Sequence, residues 1–141
     1  MKKQLLSVLV VLGLVVVAGS AFAQSVTVRA NIPFSFSLNK ETLPAGQYEI
    51  RALESAGSHA LVISNPEAKI GKMFLTNPVS PRVGTSDKGK LVFKRYGDHY
   101  FLSQIWPAGS DTGRELPRSA HEAELALDYA PAKVVVMADA R

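Results

Sequence analysis

Residues 84–91 come nearest to a motif with a defined chemistry, the phosphate-binding loop of nucleotide-dependent enzymes. They run Gly-Thr-Ser-Asp-Lys-Gly-Lys-Leu, and the first seven positions match that motif. The motif also requires Ser or Thr after Lys90, to hold magnesium, and a helix behind the loop. Leu91 stands at that position and an alternating, strand-like segment follows. The sequence therefore favours a surface loop over a nucleotide site.

A second motif, Asp111-Thr112-Gly113, has the three residues that carry the catalytic carboxylate of aspartic proteases. That chemistry needs two carboxylates sharing one proton, so a single copy would act only in a homodimer. The motif should also follow an apolar strand, whereas a Pro-Ala-Gly segment precedes it here. We therefore interpret residues 110–113 as a turn.

The three histidines of the chain are His59, His99 and His121. His121 is followed by Glu122 but lacks the second histidine, four residues on, that zinc-binding helices carry. A Ser-His-acid site built from Ser103, His99 and Asp98 would need a strained turn that exposes the serine, and the sequence has no sign of one. The sequence therefore assigns no catalytic, metal-binding or cofactor-binding residue, and it predicts no cofactor.

Two basic loops, residues 77–90 and 107–118, carry a less specific group of charges. Both leave the open end of a hairpin predicted over 91–106, so we expect them at the same end of the fold. The residues of this candidate ligand rim are Arg82, Lys88, Trp106, Arg114 and Arg118. Lys90 adds a cation, and the opposing acids are Asp87, Asp111 and Glu115. Such a rim would suit an acidic ligand or a sugar, and the alternative is a solvated loop surface.

The beginning of the chain has the three parts of a secretory signal. Lys2 and Lys3 precede an apolar stretch over residues 5–18, and Ala21-Phe22-Ala23 has the form of a cleavage site. The sequence predicts a signal peptide over 1–23 and a single mature domain over 24–141, exported to the periplasm or the medium. An uncleaved anchor is the alternative, but the apolar stretch is near the lower limit for crossing a bilayer.

Net charge and cysteine content indicate which partners and which stabilising contacts the exported chain has. The formal charge of +4 falls to +2 without Lys2 and Lys3, which is weak evidence for a polyanionic partner. We expect no nucleic-acid partner and no stable membrane insertion after cleavage. The chain has no cysteine, which excludes a lipid anchor on cysteine and any disulfide. Packing and backbone pairing must therefore stabilise the domain.

The elements that position these residues are strands. From Val26 to Leu38 every even-numbered residue is apolar, which is the period of a half-buried strand. Because Pro33 interrupts this run, we predict two strands in line, 25–32 and 34–39, bent at the proline and passing from one sheet to another. A turn at 43–46 then leads to a strand over 47–53.

Further strands are predicted over 59–64, covered on both faces, and over 69–76, with a bulge at Gly71. The hairpin over 91–106 has Gly97-Asp98 at its tip and pairs Arg95 with Tyr100 and Phe93 with Leu102. Its predicted core face consists of Leu91, Phe93, Tyr100, Leu102 and Trp106.

One helix is predicted to begin at Ser119, which has Glu122 three residues later as in a capping box. Its apolar stripe would be Ala120, Ala123, Leu127 and Ala130. Pro131 ends the helix, and residues 133–138 form a last, central and buried strand. The fold class is therefore all-β: an antiparallel sandwich or small barrel of about seven to nine strands, with one short helix near the C-terminus.

Two stretches resemble a widespread family of short secreted bacterial proteins. They are Ile32-Pro33-Phe34-Ser35-Phe36 and the run from Leu43 through Pro44-Ala45-Gly46 to Tyr48. The family shares a signal peptide, a Pro-Phe-x-Phe strand and a Leu-Pro-Ala-Gly-x-Tyr turn. The resemblance implies an exported β protein, and it implies no activity and no functional residues.

These observations favour an uncharacterised exported protein that acts as a non-catalytic binding or structural module. The alternative is a small barrel that carries an apolar ligand, and a hydrolytic enzyme is the third hypothesis. The aromatic residues that would line the carrier's cavity are Phe34, Phe36, Tyr48, Phe93 and Trp106. Exposed edge strands would also allow self-association.

Overall fold

A computed structural model describes residues 27–53, 59–80 and 88–139. The predicted signal peptide and Arg82 lie outside these ranges. Within them, eleven strands form two sheets, and one helix precedes the last strand. The strands are β1 (Thr27–Ile32), β2 (Phe36–Leu38), β3 (Glu41–Leu43), β4 (Gly46–Ala52), β5 (Ala60–Asn65), β6 (Ile70–Leu75), β7 (Asn77–Val79), β8 (Lys90–Tyr96), β9 (His99–Trp106), β10 (Gly113–Glu115) and β11 (Ala132–Met137), and the helix is α1 (Ala120–Asp128). No helix in these ranges is long and apolar enough to cross a membrane.

The two sheets form a sandwich. One has the order β1-β4-β5-β6, and the other has the order β11-β8-β9-β10-β7, with β2 pairing in parallel beside β9 and β3 pairing with β2. The predicted all-β class is confirmed, as a sandwich rather than a closed barrel. The predicted count of seven to nine strands is too low, because β3, β7 and β10, each three residues long, lie in segments predicted as turns and loops.

The bend at Pro33 is confirmed. β1 belongs to the four-stranded sheet and β2 to the seven-stranded sheet, and the exposed proline lies between them. The even-numbered residues stay buried on both sides of the bend: Val28, Ala30, Ile32, Phe36 and Leu38. One continuous period of two therefore supplies core side chains to both layers of the sandwich.

The hairpin of β8 and β9 has the predicted tip and the predicted pairs near it. Gly97 takes a positive φ of 60°, which the first residue of a type II′ turn requires. Farther from the tip the register shifts, because Val92 pairs with Gln104 and leaves Ser103 as an extra residue. Ile105 consequently faces the core, and the prediction that Trp106 does so is wrong.

The helix begins as predicted, but it presents a different face to the sheet. Ser119 caps it, because its Oγ accepts a hydrogen bond of 3.1 Å from the backbone N–H of Glu122. The predicted apolar stripe of Ala120, Ala123, Leu127 and Ala130 is exposed. Glu122 is buried instead, since its carboxylate accepts a hydrogen bond of 3.0 Å from the Tyr96 hydroxyl of β8.

Three strand predictions need correction. β11 is an edge strand rather than a central one, and Val135 and Met137 on it are 44% and 48% exposed. β6 pairs with β5 without interruption through Gly71, so there is no bulge at that residue. β5 buries Leu61 and Ile63 in the core but leaves Val62, on its other face, half-buried.

Aromatic rings fill the centre of the sandwich. Phe36 makes edge-to-face contacts with Tyr48 and Phe93, with ring centroids 5.2 and 5.5 Å apart. Phe34 stacks on Tyr100 at 3.9 Å and contacts Phe93 at 4.9 Å. Because these rings contact one another, they fill a core rather than line a cavity.

Candidate functional site

A groove of about 700 Å³ opens where three segments meet, at the end of the sandwich that holds the tip of the β8–β9 hairpin. Residues 37–43 of the β2–β3 hairpin form one wall, Lys72 and Met73 of β6 form another, and residues 117–121 at the start of α1 form the third. We call this feature the basic groove. Its volume lies within the range of small-molecule sites.

The β2–β3 hairpin positions the first wall. Phe36 pairs with Leu43, and both are buried, so the core anchors the base of the hairpin. At its tip Asn39 takes a φ of 55°, a left-handed conformation that asparagine tolerates better than most residues. This turn places Lys40, which is exposed, at the lip of the groove.

A salt bridge joins the two sheets across the groove. Lys72 Nζ of β6 lies 2.9 Å from Glu41 Oε2 of β3, and both side chains are about half-exposed, at 44% and 54%. A pair this exposed contributes at most about 1 kcal/mol to stability. It does, however, hold a lysine of one sheet beside the hairpin of the other.

The third wall is fixed by the contacts of α1 with β8 and β9. The Tyr96–Glu122 hydrogen bond anchors the first turn of the helix on the sheet. The ring of His121 lies 5.8 Å from the ring of Phe101 and 5.9 Å from that of His99. The segment that leads into the helix, including the exposed Arg118, therefore runs along the groove.

The charges of the basic groove are unbalanced. Lys40, Lys72 and Arg118 supply three cations, of which Lys72 is paired with Glu41 and Arg118 interacts with the Tyr96 hydroxyl beside Glu122. Met73 adds an apolar surface, because its side chain is 64% exposed. The groove therefore offers positive charge beside an apolar contact, which suits a ligand that is both acidic and partly apolar.

The structure distributes the predicted candidate ligand rim over different places. Trp106 lies on the outer face of the seven-stranded sheet, where its indole N–H donates to Gln104 Oε1 at 3.1 Å. Lys90 Nζ is 5.9 Å from the centre of the same ring, and the exposed Lys88 lies just before β8. Arg82 lies outside the described residues.

The two arginines of the rim lie in different places. Arg114 pairs with Ile105, the neighbour of Trp106, and lines a cleft of about 160 Å³ at the end of β9 away from the hairpin tip. Arg118 lines the basic groove, because the chain after Trp106 runs back along β9 toward the hairpin tip. Trp106 and Arg114 of the predicted rim therefore lie at the same end of β9, and Arg118 lies apart from them in the basic groove.

The cleft that contains Arg114, the end cleft, is mostly apolar. Its walls include Val28, Ile50, Leu61 and Ile105 from both sheets. A cavity of this size accommodates a molecule about as large as benzene, which is much smaller than a lipid chain. The end cleft is therefore too small for the cargo of a typical carrier.

The motifs considered for catalysis take structural roles. Lys90 and Leu91 begin a strand, so the helix that a phosphate-binding loop needs is not there. The Ser110 hydroxyl donates to the Thr112 carbonyl at 2.9 Å and accepts from its N–H at 3.2 Å, which forms the predicted turn. The described ranges contain no group of three or more His, Asp or Glu side chains placed to hold a metal.

Among the residues that the structure describes, three side chains have displaced pKa values, and each has a structural cause. Burial raises the pKa of the Tyr48 and Tyr96 hydroxyls, although a hydrogen bond with Asn65 lowers that of Tyr48 and one with Arg118 lowers that of Tyr96; the Glu122 carboxylate raises the pKa of Tyr96 further. Burial alone would raise the pKa of the Glu49 carboxyl, but the Arg51 and Arg29 guanidiniums hold it below its ordinary value. None of the three lies in the basic groove.

The rest of the basic groove was missed because its walls are far apart in sequence. The one local signal was the cap at Ser119, which predicts where α1 begins but not what it faces.

No protein-family model, curated protein or solved structure matches this chain.

Proposed function

We propose that this protein is an exported, non-catalytic binding module, and that the basic groove is its binding site. The observation that carries the proposal is the groove itself, a volume of about 700 Å³ with cations from three segments and an exposed methionine. The Lys2–Lys3, apolar and Ala-Phe-Ala segments of the sequence support export.

The polar groups of the groove support binding rather than catalysis. Ser119 lies near His121 in sequence, but its hydroxyl oxygen already accepts the cap hydrogen bond from the Glu122 N–H. Glu41, the groove carboxylate, is paired with Lys72. An enzyme would need a nucleophile and a base within hydrogen-bond reach of each other, and these groups are engaged in holding the walls.

The carrier alternative has less support. Phe34, Phe36, Tyr48 and Phe93 pack against other core rings, and Trp106 lies on the outer face of its sheet. The end cleft has room only for a very small apolar molecule. These aromatic residues therefore do not form a cavity for a carried ligand, whereas the basic groove is an open, charged site.

Ligand-observed NMR with defined probe pools tests the proposal. Protein purified from its own host would be mixed with pools of short peptides, oligosaccharides and fatty acids, and its intact mass would show whether 1–23 is removed. We expect one pool to bind, with binding weakened by Lys40→Glu. The matched control is Lys133→Glu on β11, an edge strand of the seven-stranded sheet that does not line the groove. This variant should bind like the wild type. Equal binding by Lys40→Glu would contradict the assignment of the site.

A further inference from the structure

The outer edge of β6 faces the basic groove. β6 is the last strand of the four-stranded sheet and pairs with β5 over its whole length, from Ala60–Leu75 to Asn65–Ile70. Among the strands within 27–53, 59–80 and 88–139, none pairs with its other side. An edge of this kind presents backbone N–H and C=O groups to which an extended chain can add.

The side chains of β6 alternate between two surfaces. Lys72 and Phe74 point to the inner face, where Phe74 is buried and Lys72 reaches Glu41 across the groove. Met73 and Leu75 point to the outer face and are 64% and 65% exposed. An added strand would therefore have cations beside one of its faces and apolar side chains beside the other.

The outer surface beside β6 is apolar as well. The register places Val62 of β5 next to Met73, and Ala60 of β5 next to Leu75. Leu53, which directly follows β4, lies on the other side of Ala60, since its N–H donates to the Ala60 carbonyl at 3.2 Å. Leu75, Ala60 and Leu53 therefore form one apolar row. Apolar side chains of an added strand would thus meet an apolar patch, which Arg51 of β4 borders beside Val62.

We propose that β6 binds an extended peptide segment of a partner protein as a fifth strand, and that this segment alternates acidic and apolar residues. Its acidic side chains face Lys72, Lys40 and Arg118 in the basic groove, and its apolar side chains lie beside Met73 and Leu75. This inference rests on the proposed function, because it names the ligand class of the same groove.

Charge favours such a peptide over a second copy of this chain. β6 itself runs Ile-Gly-Lys-Met-Phe-Leu and has no acidic residue. Pairing of two copies through β6 would bring the groove cations of one molecule toward those of the other, and like charges that face each other across a strand pair are destabilising. An acidic segment neutralises the same cations.

Titration with synthetic peptides tests the inference. The probe is a capped seven-residue peptide that alternates Glu and Val, and the controls are its Lys–Val counterpart and a Glu–Val peptide of similar composition without alternation. NMR spectra of the ¹⁵N-labelled protein would report affinity and the amides perturbed. We expect the alternating acidic peptide to bind at least about tenfold more tightly than either control and to perturb the amides of Lys72 and Met73.

Charge reversal supplies the matched variants. Lys72→Glu and Lys40→Glu should each weaken binding of the acidic peptide several-fold and favour the Lys–Val peptide, while Lys133→Glu should change neither. Amide spectra of each variant would verify folding; Lys40→Glu remains informative if Lys72→Glu, which also removes the partner of Glu41, does not fold.

Three outcomes would overturn the inference: equal binding of the Lys–Val peptide, perturbations that exclude β6, or a dimer that forms through β6 and excludes the peptide. If other probes still perturb the basic groove, the proposed function survives without this ligand class. If no probe perturbs the groove, both fail.

Discussion

The hydroxyl of Tyr96 donates a hydrogen bond of 3.0 Å to Oε1 of Glu122, and both residues are buried. This contact joins the hairpin of β8 and β9 to the first turn of α1. Because α1 begins at one wall of the basic groove, the contact also fixes the shape of that groove.

Removal of the Tyr96 hydroxyl should therefore loosen the helix. Tyr96→Phe leaves the buried Glu122 carboxylate without this donor, and we expect the free energy of unfolding to fall by about 1–3 kcal/mol. Chemical denaturation measures that change, and hydrogen exchange of the α1 amides shows where it acts. The control is Tyr129→Phe, at a tyrosine that is 48% exposed, which should change stability little. An unchanged Tyr96→Phe protein would show that the contact does not hold the helix.

Alkaline pH should destabilise the fold through its buried tyrosines. The pKa values of Tyr48 and Tyr96 are raised above 10.0 in the folded protein. Their stabilising effect is therefore complete below pH 10, the unfolded value, and is lost as pH rises from there through the folded pKa. Denaturation midpoints measured between pH 8 and 11 should fall above about pH 10, and the fall should be smaller in Tyr48→Phe and Tyr96→Phe. An identical pH profile in these variants would contradict the assignment.

Gly113 should be required for the position of Trp106. A Cβ atom on Gly113 would lie 2.6 to 2.8 Å from three atoms of the indole ring, which is too close for any real contact. Gly113→Ala should displace the ring and lower the free energy of unfolding by about 1–3 kcal/mol. Since Trp106 is the single tryptophan, its fluorescence reports the displacement.

The matched control for that experiment is Gly71→Ala on β6. Nothing lies within 4 Å of a Cβ atom there, so we expect a stability within about 0.5 kcal/mol of the wild type and unchanged fluorescence. The packing of Trp106 on Gly113 would be refuted if the two alanine variants behaved alike.

The cap of α1 gives a separate test of the third wall. Ser119→Ala removes the acceptor for the Glu122 N–H, and such caps contribute about 0.5–2 kcal/mol. Ser119→Asp, which restores an acceptor, should recover most of the stability measured by thermal unfolding. Failure of aspartate to recover it would mean that Ser119 acts through packing rather than as a cap.

Local pattern predicted much of the fold. The bend at Pro33 followed from sequence because the alternation of side chains along a strand and the lack of an N–H in proline are both local properties. The tip of the hairpin followed from Gly97 for the same reason, since a type II′ turn needs a residue that accepts positive φ there.

Features that depend on distant partners could not be predicted. The extra residue at Ser103 lies where its carbonyl accepts a hydrogen bond of 2.9 Å from the Leu116 N–H, and the resulting shift turned Trp106 outward. The buried face of α1 depended on the hydroxyl of Tyr96, which the apolar pattern of the helix does not show. β11 is apolar enough for a central strand, but no further strand pairs beside it in the described ranges.

The basic groove was hidden for the same reason. Its walls come from residues 37–43, 72–73 and 117–121, and no motif within any one of them marks a site. The candidate ligand rim grouped residues by their closeness in sequence to one end of a hairpin. The strand β10, which the sequence did not reveal, carried Arg118 away from that end and into the groove.

Protein-observed NMR of the chain purified from its own host, with the bound probe pool, tests the central claim most directly. If the basic groove is the binding site, the perturbed amides will cluster in residues 37–43, at Lys72 and Met73, and in residues 118–121. Perturbations that cluster instead around Trp106 or in the end cleft, or no binding by any pool, would contradict the account.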